Sequence, residues 1–195
     1  MMPILRTMIA ATTLVAGTAM ADETENRIKE IRGQYTAIES SKSKTEIIPF
    51  EAKDDPLSGS LTRFLKDDKL VKAVLSYTAG DHGGSDERYY FHDGKLIFIH
   101  VTDSSWQFGG KKQPNGEPGT IDTVTEHRIY LHDGKIIRNL TKQATAESAE
   151  DLTKKLEKAA NKPSDDKERE NELISHAAKV MEAKDAAGVL KMLER

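Results

Sequence analysis

Residues 89–98 read Tyr-Tyr-Phe-His-Asp-Gly-Lys-Leu-Ile-Phe, two apolar runs joined by the dipeptide Asp93-Gly94. Apolar runs on both sides of an Asp-Gly pair are a strong local signal for a β-hairpin, because a type I′ turn needs positive φ at both central residues. Asp tolerates that conformation and Gly adopts it freely. The stretch therefore predicts two antiparallel strands joined by a two-residue turn.

The hairpin pattern occurs three times along the chain. Residues 129–137 repeat it as Ile-Tyr-Leu-His-Asp-Gly-Lys-Ile-Ile, which matches residues 89–97 at six of nine positions. A weaker copy at residues 63–71 has Asp67-Asp68 in place of Asp-Gly. We therefore expect a meander of about six antiparallel strands and an additional edge strand that Pro49 confines to the edge. The expected strands are residues 60–66, 69–78, 86–92, 95–102, 123–132 and 135–140, with 47–50 at the edge.

The stretch from Tyr89 to Phe98 resembles that of uncharacterised bacterial secreted proteins whose strands carry Tyr-Tyr-Phe-x-x-Gly-Lys-Leu. Over residues 60–140 the chain is more distantly similar to the MORN-like repeat proteins, which string together Gly-Lys hairpins. The resemblance implies a fold of repeated β-hairpins. It implies no activity, since the shared motif is a structural turn.

Both faces of the central hairpin are apolar. In a regular two-residue hairpin, Phe91 lies opposite Leu96 and Tyr89 opposite Phe98, while Tyr90 points to the other face. A sheet with one solvated face would show a polar face. We therefore expect cover on both sides of the sheet.

Helical patterns flank the strands and supply that cover. In residues 22–42 the apolar residues Ile28, Ile31, Tyr35 and Ile38 recur at steps of three and four, as on one face of a helix. The sequence therefore predicts an α+β fold, with an N-terminal helix before the meander and helices after it. We expect residues 22–143 to form the helix-plus-sheet domain.

Residues 144–195 predict three short helices. Ser164 and Asp185 are candidate N-caps of the second and third helix. This charged region either packs on the sheet or forms a semi-independent arm. The apolar positions are Leu152, Leu156 and Ala159 in the first helix, Leu173, Ile174, Ala177, Val180 and Met181 in the second, and Val189, Leu190 and Leu193 in the third.

Residues 1–21 have the pattern of a secretory signal peptide. Arg6 precedes an apolar run over residues 8–17, and Ala19-Met-Ala21 supplies a small-x-small cleavage site. The apolar run is shorter than the roughly 20 residues of a membrane span. We expect cleavage after Ala21 and a periplasmic or secreted protein without a membrane span. The chain has no cysteine, so burial rather than disulfides must hold the fold together.

Charge and motifs exclude several classes of function. With 29 Lys and Arg against 32 Asp and Glu, the net charge is -3, so the sequence lacks the excess of basic residues typical of nucleic-acid binding. The sequence has no zinc-protease, nucleophile-elbow or phosphate-loop motif, and we expect no cofactor. His92 and His132 occupy equivalent repeat positions, but a strand should separate them by roughly 10 Å. We therefore expect no metal site there.

The candidate binding site lies at the end of the meander opposite the Asp-Gly turns. Residues 78–85 and the connection 103–122 should lie there, and long connections of this kind are often functional. Trp106 either folds back to close the end of the sheet or acts as a binding anchor. The candidate residues are Asp81, His82, Trp106, Phe108, Lys111 and Lys112.

Two hypotheses for function follow from this site. The first is a non-catalytic binding or accessory module of the cell envelope, with a protein or a glycan as its partner. The second is a small hydrolase or metal-dependent enzyme in which Asp81 and His82 perform acid–base chemistry.

Overall fold

The computed structural model describes residues 16–112 and 116–194; most of the predicted signal peptide lies outside the described residues. Within them, one antiparallel sheet has its strands in sequential order, with helices before and after it. The strands are β1 (Lys44–Glu51), β2 (Leu57–Lys66), β3 (Lys69–Ala79), β4 (Gly83–His92), β5 (Lys95–Gly110), β6 (Gly119–His132), β7 (Lys135–Ala146) and β8 (Lys162–Pro163). The helices are α1 (Ala16–Glu39), α2 (Ala149–Lys158), α3 (Lys167–Glu182) and α4 (Ala186–Leu193).

The predicted α+β meander is confirmed, but the expected number of strands was too low. The sheet has eight strands in the described chain, because β1 is a full strand and β8 adds a short one. Pro163 in β8 pairs with Leu140 at the edge of the sheet, where a missing backbone donor is tolerated. No helix in the described residues has the length and hydropathy needed to cross a membrane.

The three tight turns have the predicted conformation. Asp93 and Gly94 have φ values of 49° and 75°, and Asp133 and Gly134 have 47° and 74°. The Asp67-Asp68 turn, which lacks glycine, has the same left-handed backbone, since both residues have positive φ. All three turns are therefore of one kind.

A β-bulge follows each of these turns, and the sequence did not predict it. In the central hairpin Phe91 pairs with Leu96, whereas the next pair is Tyr90 with Phe98. The expected pairing of Tyr89 with Phe98 was therefore wrong, because β5 contains one extra residue at this point. Equivalent irregularities lie between Phe64 and Leu65 and between Tyr130 and Leu131.

The long connection predicted between residues 103 and 122 is mostly strand. Trp106 pairs with Asp122 and Phe108 with Thr120, so β5 and β6 continue their ladder well beyond the expected ends. Five of the six residues 120–125 are β-branched and favour extended backbone, and pairing satisfies the peptide groups of this segment. In the same way, only residues 80–82 of the predicted 78–85 connection lie outside strands.

Each face of the sheet has its own apolar core, as expected. On one face α1 covers the residues around Tyr90, Phe98 and Tyr130. On the other face α3 and α4 cover a larger core. The buried members of the larger core are Phe50, Leu61, Ala73, Leu75, Tyr89, Phe91, Ile99, Val101, Ile129, Leu131, Leu173, Ala177, Val180, Ala183, Val189 and Met192.

The helix boundaries differ from the expected ones in two places. Helix α1 runs from Ala16 to Glu39, so the predicted cleavage point after Ala21 lies within its first turns. Asp166, not Ser164, is the N-cap of α3, because its carboxylate accepts a hydrogen bond from the backbone N–H of Arg169. Asp185 caps α4 as predicted.

Candidate binding site

An aromatic cluster forms at the end of the sheet opposite the Asp-Gly turns. The His82 and Trp106 rings lie with their centroids 4.1 Å apart, and Phe108 meets Trp106 edge-to-face at 5.1 Å. The Trp106 indole N–H donates to the backbone carbonyl of Asp81, and its backbone N–H donates to the carbonyl of His82 at 3.1 Å. The structure therefore brings Asp81, His82, Trp106 and Phe108 together.

Trp106 combines parts of both roles considered for it. Its indole is half-buried, and its hydrogen bond to Asp81 ties the β3–β4 connection to β5. Phe108 is 63% exposed, which is unusual for a large apolar side chain. Trp106 thus fixes the connection in place while Phe108 presents apolar surface to solvent.

A groove of about 380 Å³ lies beside the aromatic cluster. Its described lining contains two carboxylates, several hydroxyls and no basic side chain, and three glycines leave its backbone accessible. Such a surface accepts hydrogen bonds and does not attract anions. The lining residues are Thr78, Gly80, Asp81, Gly83, Gly84, Ser104, Ser105, Trp106, Asp122, Thr123, Val124 and Leu152.

Lys111 and Lys112 are the two predicted site residues that lie apart from the cluster. They follow the end of β5, and the backbone N–H of Lys111 donates to the Glu147 carboxylate at 3.2 Å. Five residues of extended chain place Lys111 roughly 16 Å beyond Trp106. The lysines therefore flank α2 and do not line the groove.

His92 and His132 lie at the opposite end of the sheet. They end β4 and β6, with β5 between them, as the repeat predicted. Each ring faces the carboxylate of the next residue, Asp93 at 3.4 Å and Asp133 at 3.3 Å. Each histidine is thus part of its own turn.

A buried charged network that the sequence reasoning missed fastens α3 to the sheet. Glu87 is 0% exposed, and its carboxylate accepts hydrogen bonds from His176 and Arg169, both at 2.9 Å. Arg169 also donates to Asp103 at 2.8 Å and to Glu172 at 2.6 Å. One arginine of α3 therefore links two adjacent strands.

The carboxylates of this network are held in the ionised form. Burial acts to raise the pKa of Glu87, but the hydrogen bond from His176 and the charges of His176 and Arg169 outweigh it and lower the pKa. Asp103 behaves alike, since the His127 hydrogen bond and the Arg169 charge overcome burial and lower its pKa. Glu87 is fully buried beneath α3 and Asp103 is half-buried, so these ion pairs hold α3 on the sheet.

One signal in the sequence pointed to this network. Glu87 occupies a core-facing position between Ser85 and Tyr89 in the alternation of β4, where an acid needs a buried partner. Arg169 and His176 lie seven residues apart on one face of α3. Their pairing across more than 80 residues is not visible in a local pattern.

Comparison of the chain with protein-family models, curated proteins and solved structures gave no match. The interpretation of the site therefore depends on its own geometry and chemistry.

Proposed function

We propose that the protein is a non-catalytic binding module of the cell envelope or the secreted fraction, and that its partner is a glycan. The observation that carries this proposal is the aromatic cluster of half-buried Trp106 and exposed Phe108 and His82 beside the groove. Sugar rings have an apolar C–H face that packs on aromatic rings and hydroxyls that donate to carboxylates. The signal-peptide pattern of residues 1–21 supports the location.

The lining of the groove favours a neutral glycan over an acidic one. Asp81 and Asp122 supply acceptors for sugar hydroxyls, and Ser104, Ser105 and Thr123 supply hydroxyls that both donate and accept. An anionic polymer would be repelled by the two carboxylates. The enzyme hypothesis gains less support, because the His82 ring packs against Trp106 at an interplanar angle of 42° and both Asp81 and His82 are exposed to bulk solvent.

The test compares Phe108→Ser with Ile47→Ser in a chain that begins at Asp22. Ile47 is 65% exposed on the edge strand β1, so it matches Phe108 in exposure and lies elsewhere. On an array of neutral and acidic oligosaccharides, we expect binding to neutral glycans that Phe108→Ser weakens about tenfold or more, since the variant loses the aromatic surface on which the C–H face of a sugar packs. Ile47→Ser should bind like the wild type.

Two results would contradict this function. One is an array on which no neutral glycan is retained by a folded, wild-type chain. The other is equal retention by Phe108→Ser and wild type, which would place the contact elsewhere. Melting temperatures of both variants, measured in parallel, show that each remains folded.

A further inference from the structure

A second cavity lies between α1 and the sheet. It is on the same face of the sheet as the proposed glycan site. Its volume is about 210 Å³, below the roughly 300–1,000 Å³ of sites for drug-sized ligands. His100 and Trp106 lie six residues apart on β5, roughly 20 Å along the strand, so the two sites are separate. The cavity is lined by Ile31, Arg32, Tyr35, Phe98, His100, Arg128 and Tyr130.

Aromatic rings form the apolar wall of this cavity. Phe98 packs against Tyr130 with ring centroids 4.8 Å apart and against Tyr35 edge-to-face at 5.8 Å. The His100 ring lies nearly parallel to Phe98, with an interplanar angle of 10°. Phe98 and Tyr130 belong to the core under α1, so the wall is rigid. A compact apolar group would find a preformed surface here.

Basic side chains converge on the same cavity. Arg32 and Arg128 line it, and no carboxylate does so among the described residues. The Arg32 guanidinium lies 5.9 Å above the Tyr130 ring, and no salt bridge to Arg32 occurs in the described part of the chain. The Glu126 carboxylate contacts a single nitrogen of Arg128, Nη2, at 3.0 Å. An arginine has five N–H donors, so both guanidinium groups retain capacity for an anion.

His100 also lines the cavity, and a bound anion would change its protonation state. Its Nε2 atom is buried without a hydrogen-bond partner in the described structure, 3.6 Å from Glu126. Burial lowers the pKa of His100, Glu126 raises it, and Arg128 and Arg88 lower it further. The ring is thus predominantly neutral at pH 7, and a bound anion would favour the protonated form.

We propose that this cavity binds small carboxylates that carry an aromatic or other compact apolar group. Arg32 and Arg128 take the carboxylate, whose planar oxygens match a guanidinium. The apolar group packs on Phe98 and Tyr130. The site is independent of the glycan proposal, and either can fail without the other.

The experiment is an NMR titration with benzoate, benzyl alcohol and inorganic phosphate as probes. We expect saturable benzoate binding with shifts at Phe98, His100 and Tyr130, and a pKa of His100 that rises when benzoate is bound. Benzyl alcohol should bind about tenfold more weakly or worse, because it cannot form the charge-assisted hydrogen bonds that a carboxylate makes with arginine.

Variants on α1 separate the site from non-specific anion binding. Arg32→Met keeps the aliphatic stem and helix propensity and should weaken benzoate about tenfold. Lys29→Met removes one charge from the same exposed helix surface outside the cavity and should leave affinity unchanged. Equal affinities of Arg32→Met and wild type, equal binding of benzyl alcohol, or the same shifts with phosphate would each overturn the proposal.

Discussion

Gly94 and Gly134 sit in turns whose backbone geometry decides which residues fit. Gly94 has a φ of 75°, and a Cβ at this position would meet no atom within 4 Å. The cost of a substitution is therefore conformational and not steric contact with neighbours. The first hairpin shows that a residue other than glycine can occupy this position, because Asp68 lies there with a φ of 59°.

Replacing Gly94 by Val should lower the free energy of unfolding by about 1 kcal/mol or more, because a β-branched residue resists positive φ. Gly94→Asp, which copies the Asp67-Asp68 turn, should cost less than Gly94→Val because Asp tolerates this region. Urea unfolding of both variants measures the difference. Equal losses for Val and Asp would argue against a conformational cause.

Residue-level features were predictable when their cause was local. The turns at Asp93 and Asp133 follow from two residues and their apolar flanks. The bulge after each turn was not predictable, because it depends on which neighbour Ile97 packs against. With the bulge, Ile97 and Phe98 both enter the core under α1, although they are consecutive residues in a strand.

At the scale of elements, the contact between α3 and the sheet is the one that a single substitution should weaken most. Arg169 is the cation shared by Glu87, Asp103 and Glu172. Arg169→Met should lower the free energy of unfolding by roughly 3 kcal/mol, because it removes a charged partner of the fully buried Glu87, which keeps the hydrogen bonds from His176 and Tyr89. Lys154→Met on α2 breaks an exposed pair with Glu150 and is the control, with little expected effect.

The pH dependence of this loss identifies its electrostatic origin. The pKa values of Glu87 and Asp103 lie below their ordinary values of 4.5 and 3.8, so the unfolded chain takes up protons first as the pH falls. Their contribution is complete above those ordinary values and is lost as the pH falls toward the folded-state pKa values. The gap between wild type and Arg169→Met should therefore narrow below about pH 4.5. A gap that stays constant from pH 7 to pH 3 would point to lost packing alone.

At the level of elements, the predicted long connection between residues 103 and 122 was wrong because composition suggested a loop where the chain forms strands. The glycines and prolines between Gly109 and Gly119 suggested a long loop. Apolar–polar alternation is limited to Trp106, Gln107 and Phe108, but pairing with β6 satisfied the backbone groups of the whole segment, so β5 extends to Gly110. The candidate residues Asp81, His82, Trp106 and Phe108 came together nonetheless, because meander topology alone places both connections at one end.

For the whole molecule, the C-terminal helices are part of the larger core. Leu173, Val180, Val189 and Met192 are buried against the sheet, and burying side chains of this size contributes roughly 1.5–3 kcal/mol each. Their sum of about 6–12 kcal/mol is comparable with the 5–15 kcal/mol net stability of a typical domain. A chain that ends at Pro163 should therefore lose cooperative thermal unfolding and near-ultraviolet circular dichroism.

A matched chain that retains α3 and α4 but lacks the residues before Asp22 is the control for that truncation. It keeps the larger core, so its unfolding should remain cooperative. A truncated chain that melts cooperatively with native near-ultraviolet signals would show that the sheet and α1 suffice as a folding unit.

The sequential strand order has a consequence for the route by which the molecule folds. Each strand pairs with its neighbour along the chain, so the sheet grows through short-range loop closures, which are rapid. The contacts of α3 with β4 span 82 and 89 residues, and their closure entropy is larger. We therefore expect the hairpins to form early and α3 to dock on the sheet late. If residues 1–21 direct export, as we propose, the sheet begins to form before the last helices have crossed the membrane.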